Sequence, residues 1–140
     1  ESKGNGIVAG FVYENGGEIN NAYANLELKT DSAYIAGFVY NNKGIIKETY
    51  AATTMKATGE DSKAEQPFVG IDNADNLLST GTIENSYYLM RSGIDTPYTQ
   101  GDLDVAQGLN LENFQNSEYL IGFSFVLSNS NKINSSLYFL

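Results

Sequence analysis

Short apolar runs alternate with turn-forming polar clusters along this chain. The first run is Ile7-Val8-Ala9-Gly10-Phe11-Val12-Tyr13, rich in β-branched and aromatic side chains. Seven residues of that composition predict one buried strand, not a helix. Asn15-Gly16-Gly17 then predicts a turn, because Asn and Gly tolerate positive φ. Residues 19–23 predict a second strand and residues 26–28 a third. The same order returns at once: strand 34–40, turn Asn41-Asn42-Lys43-Gly44, strand 45–50.

The recurrence is one of residue identity as well as pattern. Residues 9–24 read AGFVYENGGEINNAYA and residues 36–51 read AGFVYNNKGIIKETYA, identical at ten of sixteen positions. The offset is 27 residues, from Gly10 to Gly37, Tyr13 to Tyr40, Ile19 to Ile46 and Tyr23 to Tyr50. A third copy follows, in which Gly81-Thr82-Ile83-Glu84-Asn85-Ser86-Tyr87 echoes Gly17 to Tyr23. A fixed period of this length marks stacked architectures. One short repeat cannot cover its own apolar face, so its neighbours must. Parallel stacking places equivalent residues about 4.8 Å apart. It predicts ladders of Phe11 on Phe38, Ile19 on Ile46 on Ile83, and Tyr23 on Tyr50 on Tyr87.

The pattern is interrupted in three places. Residues 56–66, KATGEDSKAEQ, are polar and predict a solvated loop. Pro67-Phe68-Val69-Gly70 reads as a shortened third copy of the first strand. Thirteen positions separate Phe68 from Gly81, against six from Phe11 to Gly17, so this copy carries an insertion of about seven residues around IDNADNL. Residues 92–108 are polar and turn-rich. Residues 109–114 predict one helical turn or an irregular link, 119–127 a buried strand, and 137–140 a last strand.

Composition narrows the function classes. The chain has 140 residues, no Cys, no His, no Trp and a net charge of −9. Without His or Cys there is no His-dependent triad, no thiolate nucleophile and no zinc–sulfur site. An acidic surface disfavours nucleic acid and anionic lipid. No stretch reaches the roughly 20 apolar residues that span a bilayer. The chain starts at Glu1 without Met and leads straight into a repeat. It reads as a segment of a longer, processed protein.

The repeated residues resemble the GLUG motif of large secreted bacterial proteins, notably filamentous-haemagglutinin-like adhesins and some cell-surface peptidases. Ala9-Gly10-Phe11-Val12-Tyr13, Asn15, Gly17, Ile19, Asn21 and Tyr23 look like one unit. The second copy departs at Glu48, where the motif has Asn. The third keeps Gly81, Ile83, Asn85, Ser86 and Tyr87. The tail is similar in Ser86-Tyr87-Tyr88 with Ser92-Gly93, Gly108-Leu109-Asn110 with Phe114, and Gly122-Phe123-Ser124-Phe125, with Tyr138 where the family has a Trp. The resemblance implies a β-solenoid, an extracellular or bacterial cell-surface location, adhesive or scaffolding roles, and no catalytic residues.

Several residues carry possible chemistry. Asp72-Asn73-Ala74-Asp75-Asn76 is an amide-rich acidic loop whose oxygens could hold Ca²⁺. It lacks the spacing of an EF-hand, and a solvated insertion loop is the stronger reading. Asp102, Asp104 and Glu112 have the same standing, and no other cofactor is indicated. Carboxylate pairs could hydrolyse glycosides, yet seventeen Asp and Glu make chance pairs unavoidable. Tyr13, Tyr40, Tyr88 and Tyr98 could stack on sugars or on a partner protein, with Tyr13 and Tyr40 as an exposed ladder; strand packing is the competing reading. Asn15 and Asn42 predict a hydrogen-bonded turn ladder.

The expectation is therefore one all-β domain, a right-handed parallel β-helix of about three coils. Its repeats span about 7–33, 34–60 and 67–93, with an irregular cap over 94–140. The expected function is a non-catalytic structural or adhesive segment of a large exported bacterial surface protein. Its partners would be host or bacterial surface proteins or glycans, and further repeats of the parent chain. The alternative is an accessory module of a secreted bacterial protease or glycan-degrading enzyme.

Overall fold

The computed structural model describes residues 6–31, 34–57, 64–72, 76–90 and 106–114. A first tier holds β1 (Ile7–Ala9), β2 (Val12–Asn15), β3 (Glu18–Asn20), β4 (Tyr23–Ala24) and β5 (Glu27–Thr30). A second holds β6 (Tyr34–Ala36), β7 (Val39–Asn42), β8 (Ile45–Lys47), β9 (Tyr50–Ala51) and β10 (Thr54–Ala57). A third holds β11 (Ala64–Gln66), β12 (Thr82–Glu84) and β13 (Tyr87–Leu89). β14 (Gln107–Leu109) and the short helix α1 (Leu111–Phe114) follow.

Every named strand pairs in parallel with its counterpart in an adjacent tier. The sheets run β1-β6-β11, β2-β7, β3-β8-β12, β4-β9-β13-β14 and β5-β10. The molecule is thus all-β with parallel sheets, as a β-solenoid would be. Between the first two tiers the register is the sequence period: Ile7 opposes Tyr34, Glu18 opposes Ile45 and Tyr23 opposes Tyr50. Between the second and third it steps twice. Tyr34 opposes Ala64 and Val39 opposes Val69, 30 residues on, whereas Asn42 opposes Ser79, 37 on. Seven residues are therefore inserted between Val69 and Ser79, as the spacing of Phe68 and Gly81 anticipates. The insertion folds back on itself through an antiparallel bridge of Ile71 with Leu77.

Several local expectations need correction. The runs 7–13 and 34–40 are not single strands. Each bends at Gly-Phe, giving β1 and β2, then β6 and β7. A Cβ on Gly10 would collide with the Gly37 carbonyl, and one on Gly37 with the Pro67 carbonyl. The bend also lets adjacent residues Phe38 and Val39 both enter the core, which an extended strand forbids because successive side chains alternate faces. The 56–66 region is not wholly a loop, since Lys56 and Ala57 close β10 and β11 opens at Ala64. Within the polar stretch 92–108, Gln107 and Gly108 open β14, which adds a fourth strand to the sheet of β4, β9 and β13.

A second corner is marked by backbone conformation. Asn21, Glu48 and Asn85 have φ of 51°, 51° and 44° and occupy equivalent positions in the three tiers. The left-handed region crowds the Cβ of ordinary L-residues, and Asn tolerates it best after Gly. Two of the three tiers meet the requirement with Asn, while Glu48 adopts it at a cost. The corner splits the expected strand 19–23 into β3 and β4, and its successor 45–50 into β8 and β9.

The interior is laid down in rungs. Phe38 stacks between Phe11 and Phe68, with ring centroids 5.0 and 4.9 Å away. Ile19, Ile46 and Ile83 align in register and join one core with Val39, Val69, Ala24, Ala51 and Tyr88. Fully burying a Phe or Ile side chain contributes roughly 1.5–3 kcal/mol. A second core holds Tyr50, Tyr87, Ala52, Leu89 and Leu109, with Tyr23 packed against it. The sheet of β4, β9, β13 and β14 is therefore apolar on both faces, as parallel sheets usually are.

Candidate functional site

Polar rungs run beside the apolar ones. The Asn15 amide donates to Asn42 Oδ1 at 2.9 Å within the structure, and Asn42 Nδ2 donates to Ser79 Oγ at 3.3 Å. The Asn15 Oδ1 accepts from the Gly17 amide at 3.1 Å, which fixes the turn. This is the turn ladder expected from Asn15 and Asn42, with Ser79 as its third member. Thr49 Oγ1 donates to Ser86 Oγ at 3.0 Å, and Ser86 Oγ donates to the Glu84 carbonyl at 2.9 Å. Thr53 Oγ1 caps the Gly37 carbonyl at 2.9 Å. The two threonine contacts were not legible in advance, because neither residue recurs at the repeat spacing.

Among the described residues the exposed aromatic rings lie on the first tier, while Ile45, Met90 and Leu111 are exposed elsewhere. Phe11 is 51% and Tyr13 56% exposed, and Ile7 is exposed too. Glu14, on the same strand as Tyr13, accepts from Lys43 Nζ at 2.7 Å and from Asn41 Nδ2 at 3.1 Å. The repeat alone predicts Phe11 only as a ladder member. Its membership of the first copy is the signal that would have exposed it.

The tyrosine expectation is corrected. Tyr13 and Tyr40 do stack, with centroids 5.6 Å apart, but they are not an exposed ladder. Tyr40 is only 6% exposed. Gly70, lacking a side chain, lies against its ring, and its hydroxyl donates to the Ile71 carbonyl at 2.9 Å. Burial raises its phenol pKa, helped by Tyr13, Tyr34 and Asp72. Tyr88 is 2% exposed in the main core, with Gly108 against its ring. Neither ring can reach a sugar without unpacking. Tyr98 lies outside the described residues.

Of the calcium candidates, Asp72 sits at the neck of the insertion. Its carboxylate accepts from the Asn76 backbone amide at 2.9 Å and from Asn76 Nδ2 at 3.1 and 3.2 Å. These bonds close the loop and occupy both oxygens. Asp75, Asp102 and Asp104 lie outside the described residues, and Glu112 is exposed on α1. Among the described residues, no group of three Asp or Glu converges as a metal site would require.

The arrangement thus offers a stack of tiers whose repeated side chains are engaged with one another, and one end face of exposed aromatics. Comparison with protein-family models found no match, and comparisons with curated proteins and with solved structures found none either.

Proposed function

We propose that the chain is a non-catalytic, right-handed parallel β-helix of about three coils. It serves as a stiff structural and adhesive segment of an exported bacterial surface protein. The observation that carries this reading is that the repeated residues are spent on contacts between tiers. Phe11, Phe38 and Phe68 stack on one another, Asn15 bonds Asn42, and Ile19, Ile46 and Ile83 share one register. A repeat committed to its own stacking makes a rod, and a rod separates what is mounted on its ends. The likeness of residues 9–24 to the GLUG motif supports the surface location and the adhesive role. Contacts with host or bacterial surface proteins or glycans then fall where the repeat is interrupted, as at the insertion around Asp72.

The test exposes immobilised protein to host-cell and bacterial surfaces and to a glycan array, beside hydrolysis assays on peptide and polysaccharide substrates. The expected result is saturable surface binding without turnover. Turnover of either substrate class would reject the non-catalytic reading. Absence of saturable binding would remove the adhesive half and retain the scaffold.

A further inference from the structure

The inner tiers show what the open face of the first tier is built to meet. Gly17, Gly44 and Gly81 are equivalent residues in successive tiers. A Cβ on Gly81 would collide with the Gly44 carbonyl, and one on Gly44 with the Gly17 carbonyl. Those two positions need glycine because the preceding tier's backbone lies against them. Among the described residues, a Cβ on Gly17 would meet nothing within 4 Å. None of the three has positive φ, so conformation does not explain the glycine either. Gly17 thus carries, on the open tier, the residue that close packing requires at Gly44 and Gly81.

Backbone and side chains agree with this. The Ile45 amide donates to the Gly17 carbonyl at 2.8 Å and the Thr82 amide to the Gly44 carbonyl at 2.9 Å. By register the Glu18 amide is their counterpart and faces the open side. Phe38 is stacked on both faces, whereas Phe11 is stacked on one and half-exposed. The open face repeats the chemistry of the second-tier face on which the first tier already sits, so it continues an existing interface.

We infer that the open face of the first tier is a docking surface for one more tier of the same repeat. That tier lies parallel, in the 27-residue register, with a backbone carbonyl against Gly17. The inference rests on the solenoid reading above and names its growth end. Tyr13 then becomes an interior rung instead of a ligand contact.

The test inserts a second copy of residues 7–33 between Gly6 and Ile7 of the full chain, with a Gly/Ser insert of equal length as control. The added repeat should raise the urea midpoint and slow exchange of the Glu18 amide, while the control does neither. Gly17→Ala should leave the midpoint of the unextended chain unchanged and remove most of the gain in the extended one. An extended chain no more stable than the control, or one that aggregates, would overturn the inference. So would an equal effect of Gly17→Ala in both backgrounds. A dimer of the unextended chain with a protected Glu18 amide would assign the face to a second copy instead. Free exchange of the Ile45 amide in the unextended chain would mean that the stacked reading itself fails. A protected Ile45 amide without gain on extension would defeat only the docking proposal.

Discussion

The first and second tiers are nearly the same sequence in two environments. Phe11 and Phe38, Tyr13 and Tyr40, and Asn15 and Asn42 are identical pairs, yet Phe11 is 51% exposed and Phe38 fully buried. Chemistry does not separate them. The second tier is covered on both sides by backbone and rings, the first on one. In a stacked repeat the energetic weight of a residue is therefore set by how many tiers touch it, and identical substitutions should have unequal effects.

The largest inequality belongs to the phenylalanine rung. Phe38→Ala should cost about 3–5 kcal/mol, the range for truncating a buried aromatic, and Phe11→Ala about 1 kcal/mol, since half its surface is already wet. Urea denaturation of both variants checks this. Equal losses would break the comparison.

The asparagine rung should show the same ordering on a smaller scale. Asn42 bonds Asn15, Ser79 and the Gly44 carbonyl. Asn42→Ala should cost about 2 kcal/mol by stranding buried partners, and Asn15→Ala about 1 kcal/mol. The same denaturation curves measure both.

Alkaline pH probes the tyrosine rungs. The pKa of Tyr50 is raised by burial and by the neighbouring Tyr23, and that of Tyr40 is raised mainly by burial. Both phenols ionise more readily in the unfolded chain than in the folded one. Their stabilising share is complete below the ordinary value of 10.0 and is lost as pH climbs through the higher folded values. The melting temperature should therefore fall steeply above that value, and Tyr50→Phe and Tyr40→Phe should each flatten the fall. A melting temperature unchanged between pH 9 and 12 would contradict this; these bounds bracket the reference tyrosine value of about 10.

The smallest effect compares corners. Glu48 holds φ 51° where the other two tiers use Asn. Glu48→Asn should stabilise by about 0.5–1 kcal/mol by relieving left-handed strain, and Asn21→Ala should destabilise by about as much. Thermal melts of the two variants decide it.

Much of the stacking was legible because it is written as identity at fixed spacing. The Phe11, Ile19 and Tyr23 ladders, the parallel register and the seven-residue insertion all follow from which residues recur. The corners were not legible. Gly10-Phe11-Val12 is continuously apolar, and only three dimensions show that a bend sends neighbouring side chains into one core. β14 was hidden because Gln107-Gly108-Leu109 offers one large apolar residue and pairs through its backbone. Tyr40 departs from the expected exposure for a different reason. Its cover comes from Gly70 and Ile71 in the insertion, where the period fails and equivalence with Tyr13 no longer predicts environment.

The central claim is the parallel register, and long-range nuclear Overhauser contacts test it most directly. The account predicts ring contacts from Phe38 to both Phe11 and Phe68. It also predicts backbone contacts joining Val12 with Val39, 27 residues on, and Ile46 with Ile83, 37 residues on. Phe38 contacting neither ring, or opposed residues showing the antiparallel pattern, would contradict it.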